Sequence, residues 1–230
     1  MAVFTSGSVS SLPFGKDNFS DNDWATVIKA CQMDAVPATW AVGDQKTMTI
    51  NGTEYTVSIL GKNHDNYSDG TGKAPLTFQL LHCYNTKYRM NGNDTNSGGW
   101  TSCQMRSLHL PAILALMPSE VQSALREVNK LTTGGSTSGT IITTADKLFL
   151  LSEVEVFGTL SNSRTGEGIR YDYYNKGYSN AKKSNGADSI YWLRSPRTSD
   201  SNNFCCVAAG GGASYYGPSN PAGVSFAFCF

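Results

Sequence analysis

Asn51-Gly52 joins two segments of alternating character, "KTMTI" and "TEYTVSILG". A two-residue connection between strands needs both central residues in left-handed backbone conformations, which Asn-Gly adopts with little strain. The pair therefore predicts a β-hairpin and commits this part of the chain to antiparallel pairing. Upstream, "DWATVIKAC" puts Trp24, Val27, Ile28 and Cys31 on one helical face. Downstream, "LTFQLL" reads as a further apolar strand, and "SCQMRSLHLPAILALM" reads as helical, restarted at Pro111. In "SEVQSALREVNK", Ser119 precedes Gln122 by three residues, the spacing of a capping box. Val121, Ala124, Leu125 and Val128 share one face, so a helix is expected through this stretch. "TIITTADKLFLLSEVEVFG" reads as buried strand or a strand-helix mixture, with Glu153 and Glu155 as solvent-facing residues of one strand face.

Two helices, short antiparallel strands and long polar loops define an α+β class. Loops such as "NTKYRMNGNDTNSGG" and "LSNSRTGEGIRYDYYNKGYSNAKKSNGADS" are longer than a simple scaffold needs, and loops of this length are usually functional or disordered. Residues 1–20, rich in Ser, read as a flexible arm. Residues 21–230 read as a single domain, the default for a chain of 230 residues.

Composition narrows the function classes. The formal net charge is zero and no Lys/Arg cluster exceeds Lys182-Lys183, which argues against a nucleic-acid partner. No apolar run approaches the length of a membrane span, so direct membrane insertion is not expected. The N-terminus lacks a basic segment followed by an apolar one, so no secretory signal is visible; a virion-associated protein, or one cytoplasmic before display, fits that reading. Cys31, Cys83, Cys103, Cys205, Cys206 and Cys229 lack metal-ligand spacing and read as reduced, buried thiols. His64, His82 and His109 lie far apart and read as structural. Asp65 and Asp69 in "DNYSDG" make an oxygen-rich loop of the kind that can hold calcium, but the spacing favours a turn closed by Asx hydrogen bonds. No nucleophile elbow, phosphate loop or dinucleotide fingerprint occurs, so no catalytic machinery and no cofactor are expected.

The last stretch, "RTSDSNNFCCVAAGGGASYYGPSNPAGVSFAFCF", contains no Lys, Glu, Gln, Met or Trp. Before Leu193 those five supply roughly one residue in six. Every codon for them ends in A or G. A segment in which the adenines of Asn codons AAC or AAT are randomised shows this gap without any selection against the side chains. What remains is a Tyr/Ser/Gly/Asn mixture, the alphabet of antibody paratopes, in which aromatics give area at low entropy cost and small polar residues give adaptable contacts.

"YWLRSP", followed by a small-residue segment and a closing "GVSFAFCF", resembles the C-terminal variable region of proteins diversified by diversity-generating retroelements. "TINGTEYTVSILGKNHD", "MNGNDTNSGGW" and "TTADKLFLLSEVEVFG" are similar to the scaffold of a bacterial and prophage family of uncharacterised domains ending in the same motif. The resemblance implies a C-type-lectin-like fold, related to that of formylglycine-generating enzymes, with residues 191–230 as the variable region. It implies framework roles for Trp192, Leu193, Arg194, Ser195 and Pro196, and for Gly223, Val224, Phe226, Ala227 and Phe228 in the closing strand. Positions reachable from Asn codons through adenine changes, and so implied to be variable and ligand-binding, are Arg197, Ser199, Asp200, Cys206, Ala208, Ala209, Gly210 and Gly212. Ser214, Tyr215, Tyr216, Gly217, Ser219, Asn220 and Ala222 complete the set.

The function implied is recognition, without a cofactor, of a protein or glycan ligand on a cell surface, by a phage tail tip or a bacterial adhesin. Tyr215 and Tyr216 are its expected anchors. The carbohydrate-binding triplets of sugar-binding C-type lectins do not occur, so the likeness concerns fold and not sugar specificity. Two other readings stand beside it: a cysteine oxidoreductase of the formylglycine-generating type, and a structural particle protein whose tail packs against neighbouring subunits.

Overall fold

The computed structural model describes residues 14–135 and 138–230. The described residues open with a short 3-10 turn and helix α1 (Trp24–Gln32), whose N-cap Asp23 accepts from Thr26 N. Strands β1 (Gln45–Ile50) and β2 (Thr53–Lys62) form the expected hairpin, with Asn51 at φ 47° and Gly52 at φ 74°. Next come β3 (Leu76–Leu80), α2 (Gly99–Ser102), a π-helical turn over Met105–His109, and α3 (Leu110–Leu114), with Pro111 in its first turn. Helix α4 (Ser119–Ala124) precedes β4 (Val128–Thr133), β5 (Ile141–Asp146), β6 (Leu148–Phe149) and α5 (Glu153–Phe157). Helix α6 (Asp172–Asn175), β7 (Lys182–Ser184), β8 (Ala187–Ser189), β9 (Tyr191–Pro196), β10 (Phe204–Val207), β11 (Ala213–Tyr216) and β12 (Ala227–Cys229) complete the chain.

The fold is α+β with antiparallel sheets. The largest sheet runs β1-β2-β3-β12-β6, so the last strand of the chain is inserted between β3 and β6. The physical cause is the closing apolar run. Phe228 stacks on Phe78 with centroids 5.4 Å apart, Phe230 meets Phe78 at 5.6 Å, and Trp24 of α1 packs edge-on against Phe78 and Phe230. The smaller sheet runs β11-β10-β9. It is tied to the rest by Trp192 N donating to Gly223 O and Arg194 N donating to Leu151 O. Hairpins β4-β5 and β7-β8 lie outside the two sheets.

Several sequence-based expectations are corrected here. Short helices outnumber the two expected. The helix expected over "SEVQSALREVNK" stops at Ala124, because Val128–Thr133 pairs with β5 instead. Ser119 makes no capping box; Gln122 Nε2 instead donates to Met117 O at 2.6 Å. A capping box does occur at α5, where Ser152 Oγ accepts from Glu155 N and Glu155 accepts from Ser152 N. Glu153 and Glu155 are therefore not solvent-facing strand residues: both are buried on α5. The arm expected over 1–20 ends sooner than predicted. Phe19 is buried against Trp40 at 5.2 Å, and Asn22 binds Lys16 N and O. The part of that arm before residue 14 lies outside the described residues.

Candidate functional site

The segment between β9 and β12 rests on a charged base set in the core. Arg194 is fully buried, donates from Nη2 to Glu155 Oε1 at 2.8 Å and to Glu167 O at 2.7 Å, and also pairs with Glu155 through Nη1. Lys130 bridges Glu155 at 2.9 Å and Asp65 at 2.7 Å. Burial pushes the Glu155 carboxyl up, but Arg194 and Lys130 outweigh it and hold it below its ordinary value. This quartet of two cations and two carboxylates fixes the direction in which β9 leaves the core.

Beyond β9, the loop "MNGNDTNSGGW" holds the segment by its backbone. Asn96 Nδ2 donates to the carbonyls of Arg197, Asp200 and Asn203 at 3.1, 2.9 and 2.8 Å, and Asn96 N donates to Ser201 O at 2.7 Å. Asp94 Oδ1 accepts from Ser219 N at 3.0 Å and from its hydroxyl at 2.5 Å, bonds that lower the Asp94 pKa. Asn91 N donates to Pro218 O at 3.0 Å. From a third side, buried Glu153 accepts from Asn162 N, Asn162 Nδ2, Ser163 N and Ser163 Oγ. The ordered Asn162 carbonyl then accepts from Thr198 N at 2.8 Å. Asp94, Asn96, Glu153 and Asn162 are the positioning residues that sequence reasoning missed. The only signal was an Asn/Asp-rich loop, which composition cannot assign to a partner a hundred residues away.

The β10-β11 turn is closed by Gly211 N donating to Ala208 O and Ala208 N donating to Gly212 O, both 2.8 Å, with Gly211 at φ 87°. These bonds and the left-handed Gly211 make a three-residue hairpin loop over 209–211. A Cβ at Gly210 or Gly212 would meet nothing within 4 Å. At Gly211 it would add strain to a left-handed backbone and come within 3.0 Å of Ala181 N, and at Gly223 it would lie 2.6 Å from Cys83 Sγ.

Of the fifteen positions implied to be variable, all but two have exposed or half-buried side chains or backbone. Ser199, Gly210, Gly212 and Tyr215 are exposed; Arg197, Asp200, Ala208, Ala209, Ser214, Tyr216, Gly217, Ser219 and Asn220 are half-buried. Cys206 and Ala222 are the exceptions. Cys206 is covered within the β-sheet, and Ala222 exchanges both backbone hydrogen bonds with Tyr88. As they stand, neither side chain can reach a ligand, which corrects their assignment as contact residues. Tyr215 is 44% exposed, with the Arg197 guanidinium 3.3 Å above its ring and paired with Asp200. Tyr216 instead leans on Trp192 with centroids 5.7 Å apart. The framework residues Trp192, Arg194, Pro196, Gly223, Phe226 and Phe228 are all buried.

The remaining candidates separate. Asp65 is buried with its carboxylate held by Lys130, Thr77 and Tyr171, while exposed Asp69 pairs with Arg126. Each carboxylate thus has a cation already, and Thr71 N donates to Asp69 Oδ1 at 3.0 Å, an Asx hydrogen bond of the kind the spacing favoured. Among the described residues no group of three His, Cys, Asp or Glu side chains converges as a metal site. His64 stacks on Tyr171 and His109 on Tyr88, while His82 accepts from Lys183 N. All six cysteines are free and buried. Cys205 and Cys206 are neighbours in an extended strand, so they point to opposite faces. Burial raises the Cys205 thiol well above its ordinary value, helped by Glu153, and pushes Cys206 to about 12. No described helix is long and apolar enough to cross a membrane.

Together these features define an α+β domain that holds a loop-and-hairpin surface on a buried ionic base. Residues 72–230 match the family described as Domain of unknown function (DUF6273), and the chain belongs to that family. The matched region starts before β3, so it includes the clamping loop, the whole C-terminal segment and, of the ionic base, Lys130, Glu155 and Arg194 but not Asp65. No curated protein and no solved structure matches the chain.

Proposed function

We propose that residues 197–222 form a hypervariable ligand-binding face, diversified by a retroelement and carried on a C-type-lectin-like frame. Its ligand is a protein or glycan on a cell surface, met by a phage tail tip or a bacterial adhesin. The observation that carries the reading is the contrast among neighbouring glycines. Gly210 and Gly212, which an adenine-randomised Asn codon can produce, leave an added Cβ nothing to meet within 4 Å; at Gly217, also implied variable, it would meet only the side chains of Asn220 and Asp94 at 2.9 and 3.1 Å. Gly211 and Gly223, assigned no such origin, are required by backbone conformation or by contact. The same division appears in the Asn96 clamp, which grips carbonyl oxygens that every residue type supplies. Recognition by such a face needs no cofactor. A backbone held this firmly loses little further entropy on binding.

The test is the DNA sequence of the encoding locus. The reading expects a nearby non-coding near-copy of the segment for residues 193–230. That copy should carry adenines at codons 210, 212, 214, 215 and 216 where the gene carries other bases, and should agree with the gene at codons 211 and 223. A locus without such a copy, with Lys and Glu codons at these positions in sister genes, would reduce the missing alphabet to coincidence and remove the proposal.

A further inference from the structure

Strand β11 ends the small sheet, and its outer edge is open. The turn bonds between Ala208 and Gly212 and the register Val207↔Ala213, Cys206↔Ser214, Cys205↔Tyr215, Phe204↔Tyr216 fix which backbone groups face outward. In an antiparallel pair, doubly bonded and unbonded residue pairs alternate. Ala208/Gly212 is bonded, so Cys206/Ser214 and Phe204/Tyr216 are too. The N–H and C=O of Ala213 and Tyr215 therefore point away from β10. Among the described residues nothing bonds to them.

Such an edge is a template for another strand unless it is blunted by charge, proline or a covering element. Strand β11 reads Ala-Ser-Tyr-Tyr and carries neither charge nor proline. The β1 edge of the largest sheet is treated differently. At β1, Trp24 Nε1 donates to Thr47 O at 2.9 Å, and Lys46 reaches across to Asn22 O. One edge is covered by the N-terminal segment, and the edge inside the proposed binding face is left open.

We propose that the face takes its ligand by strand addition: an extended peptide segment of a partner protein pairs with the main chain of Ala213 and Tyr215. The inference rests on the binding-face reading above and narrows its ligand to a polypeptide with an accessible extended segment. The two outward residues are two positions apart, about 7 Å, which matches alternate residues of one incoming strand. Main-chain pairing supplies affinity whatever residues occupy 214, 215 and 216, and those side chains, alternating between the faces of the sheet, supply specificity. Tyr215 with Arg197 above it lies on one side of the incoming strand, and Tyr216 against Trp192 on the other.

The test pans a library of random linear peptides against the folded protein. The tightest binder is then resynthesised with a single N-methyl group at each backbone nitrogen in turn. Strand addition expects affinity to fall about tenfold or more at alternate positions, where a hydrogen bond is lost, and to change little in between. Recovery of no binder, or insensitivity to N-methylation in every register, overturns the proposal. A binder weakened by Tyr215→Ala and Ser219→Ala but indifferent to N-methylation overturns strand addition while leaving the binding face standing. Light scattering provides a further arm: a dimer of the protein alone, lost in Tyr215→Pro, would assign the edge to a second copy of this chain and also overturn it.

Discussion

Arg194 and Glu155 face each other as a fork in the core, with Arg194 Nη2 2.8 Å from Glu155 Oε1 and both side chains shielded from water. The two residues belong to "YWLRSP" and "LFLLSEVEVFG", so the two most distinctive motifs in the sequence are halves of one contact. Removing one partner leaves the other charged and buried. Arg194→Met should destabilise the fold by about 3–5 kcal/mol. Urea unfolding of Arg194→Met, Glu155→Leu and the double variant measures this, and the double variant should cost less than the sum of the singles.

The glycine contrast gives a sharper comparison. Gly210→Tyr and Gly212→Tyr should shift stability by no more than about 0.5 kcal/mol, as surface changes do. Gly211→Ala should cost about 1–2 kcal/mol for its left-handed backbone. Gly223→Ala should cost about 1–3 kcal/mol for overpacking against Cys83. Thermal melts of the four variants read the pattern, and equal losses at 210 and 211 would contradict it.

Asn96→Ala removes the donor shared by three carbonyls and should cost about 1–3 kcal/mol. The distinguishing readout is local. Amide exchange should accelerate across residues 197–203 more than in β12. A uniform change would make Asn96 an ordinary core residue and not a clamp.

Tyr215 and Tyr216 are not equivalent anchors. Tyr215→Ala should leave the melting temperature nearly unchanged, since the side chain is 44% exposed and its ring lies under the Arg197 guanidinium at the surface. Tyr216→Ala loses the contact with Trp192 and should cost about 1–2 kcal/mol. Ligand binding is expected to fail in both.

Lys182 is buried without a carboxylate partner among the described residues, donating to Leu80 O at 2.8 Å and Leu81 O at 3.0 Å, and desolvation brings its pKa down to about 8. A lysine whose folded pKa lies below its unfolded value of about 10.4 favours the folded state more as pH rises from 8 to 10. The buried thiols oppose this, because ionisation of Cys in the unfolded chain favours unfolding above about pH 8.5. The difference between wild type and Lys182→Met isolates the lysine. The stability of the wild type relative to the variant should rise between pH 7 and pH 10, by an amount on the order of 2–3 kcal/mol.

Local signals in the sequence were legible where the cause was local. Asn51-Gly52 announced its hairpin because two backbone conformations decide that turn, and Trp24 to Cys31 announced α1 through their shared face. Val128–Thr133 misled because its apolar spacing suits a helix, and only pairing with Ile141–Asp146 turns it into strand. Glu153 and Glu155 misled for a related reason. Carboxylates are normally exposed, and the partners that allow their burial lie far away: Arg194 for one, and the backbone at 162–163 for the other. The candidate face was visible through its alphabet. Its clamps were not, since Asp94 and Asn96 look like any polar loop until Ser219 and Asn203 are placed beside them.

The grip of Asn96 on three carbonyl oxygens bears on how such a gene can change over time. A clamp made through side chains would couple the folding yield of every descendant to the letters it inherits at 197, 200 and 203. A clamp on atoms common to all twenty amino acids removes that coupling. Under the proposed function, changes at these three positions alter what the product meets and leave the Asn96 clamp in place, so a lineage can sample there while losing few of its members to misfolding.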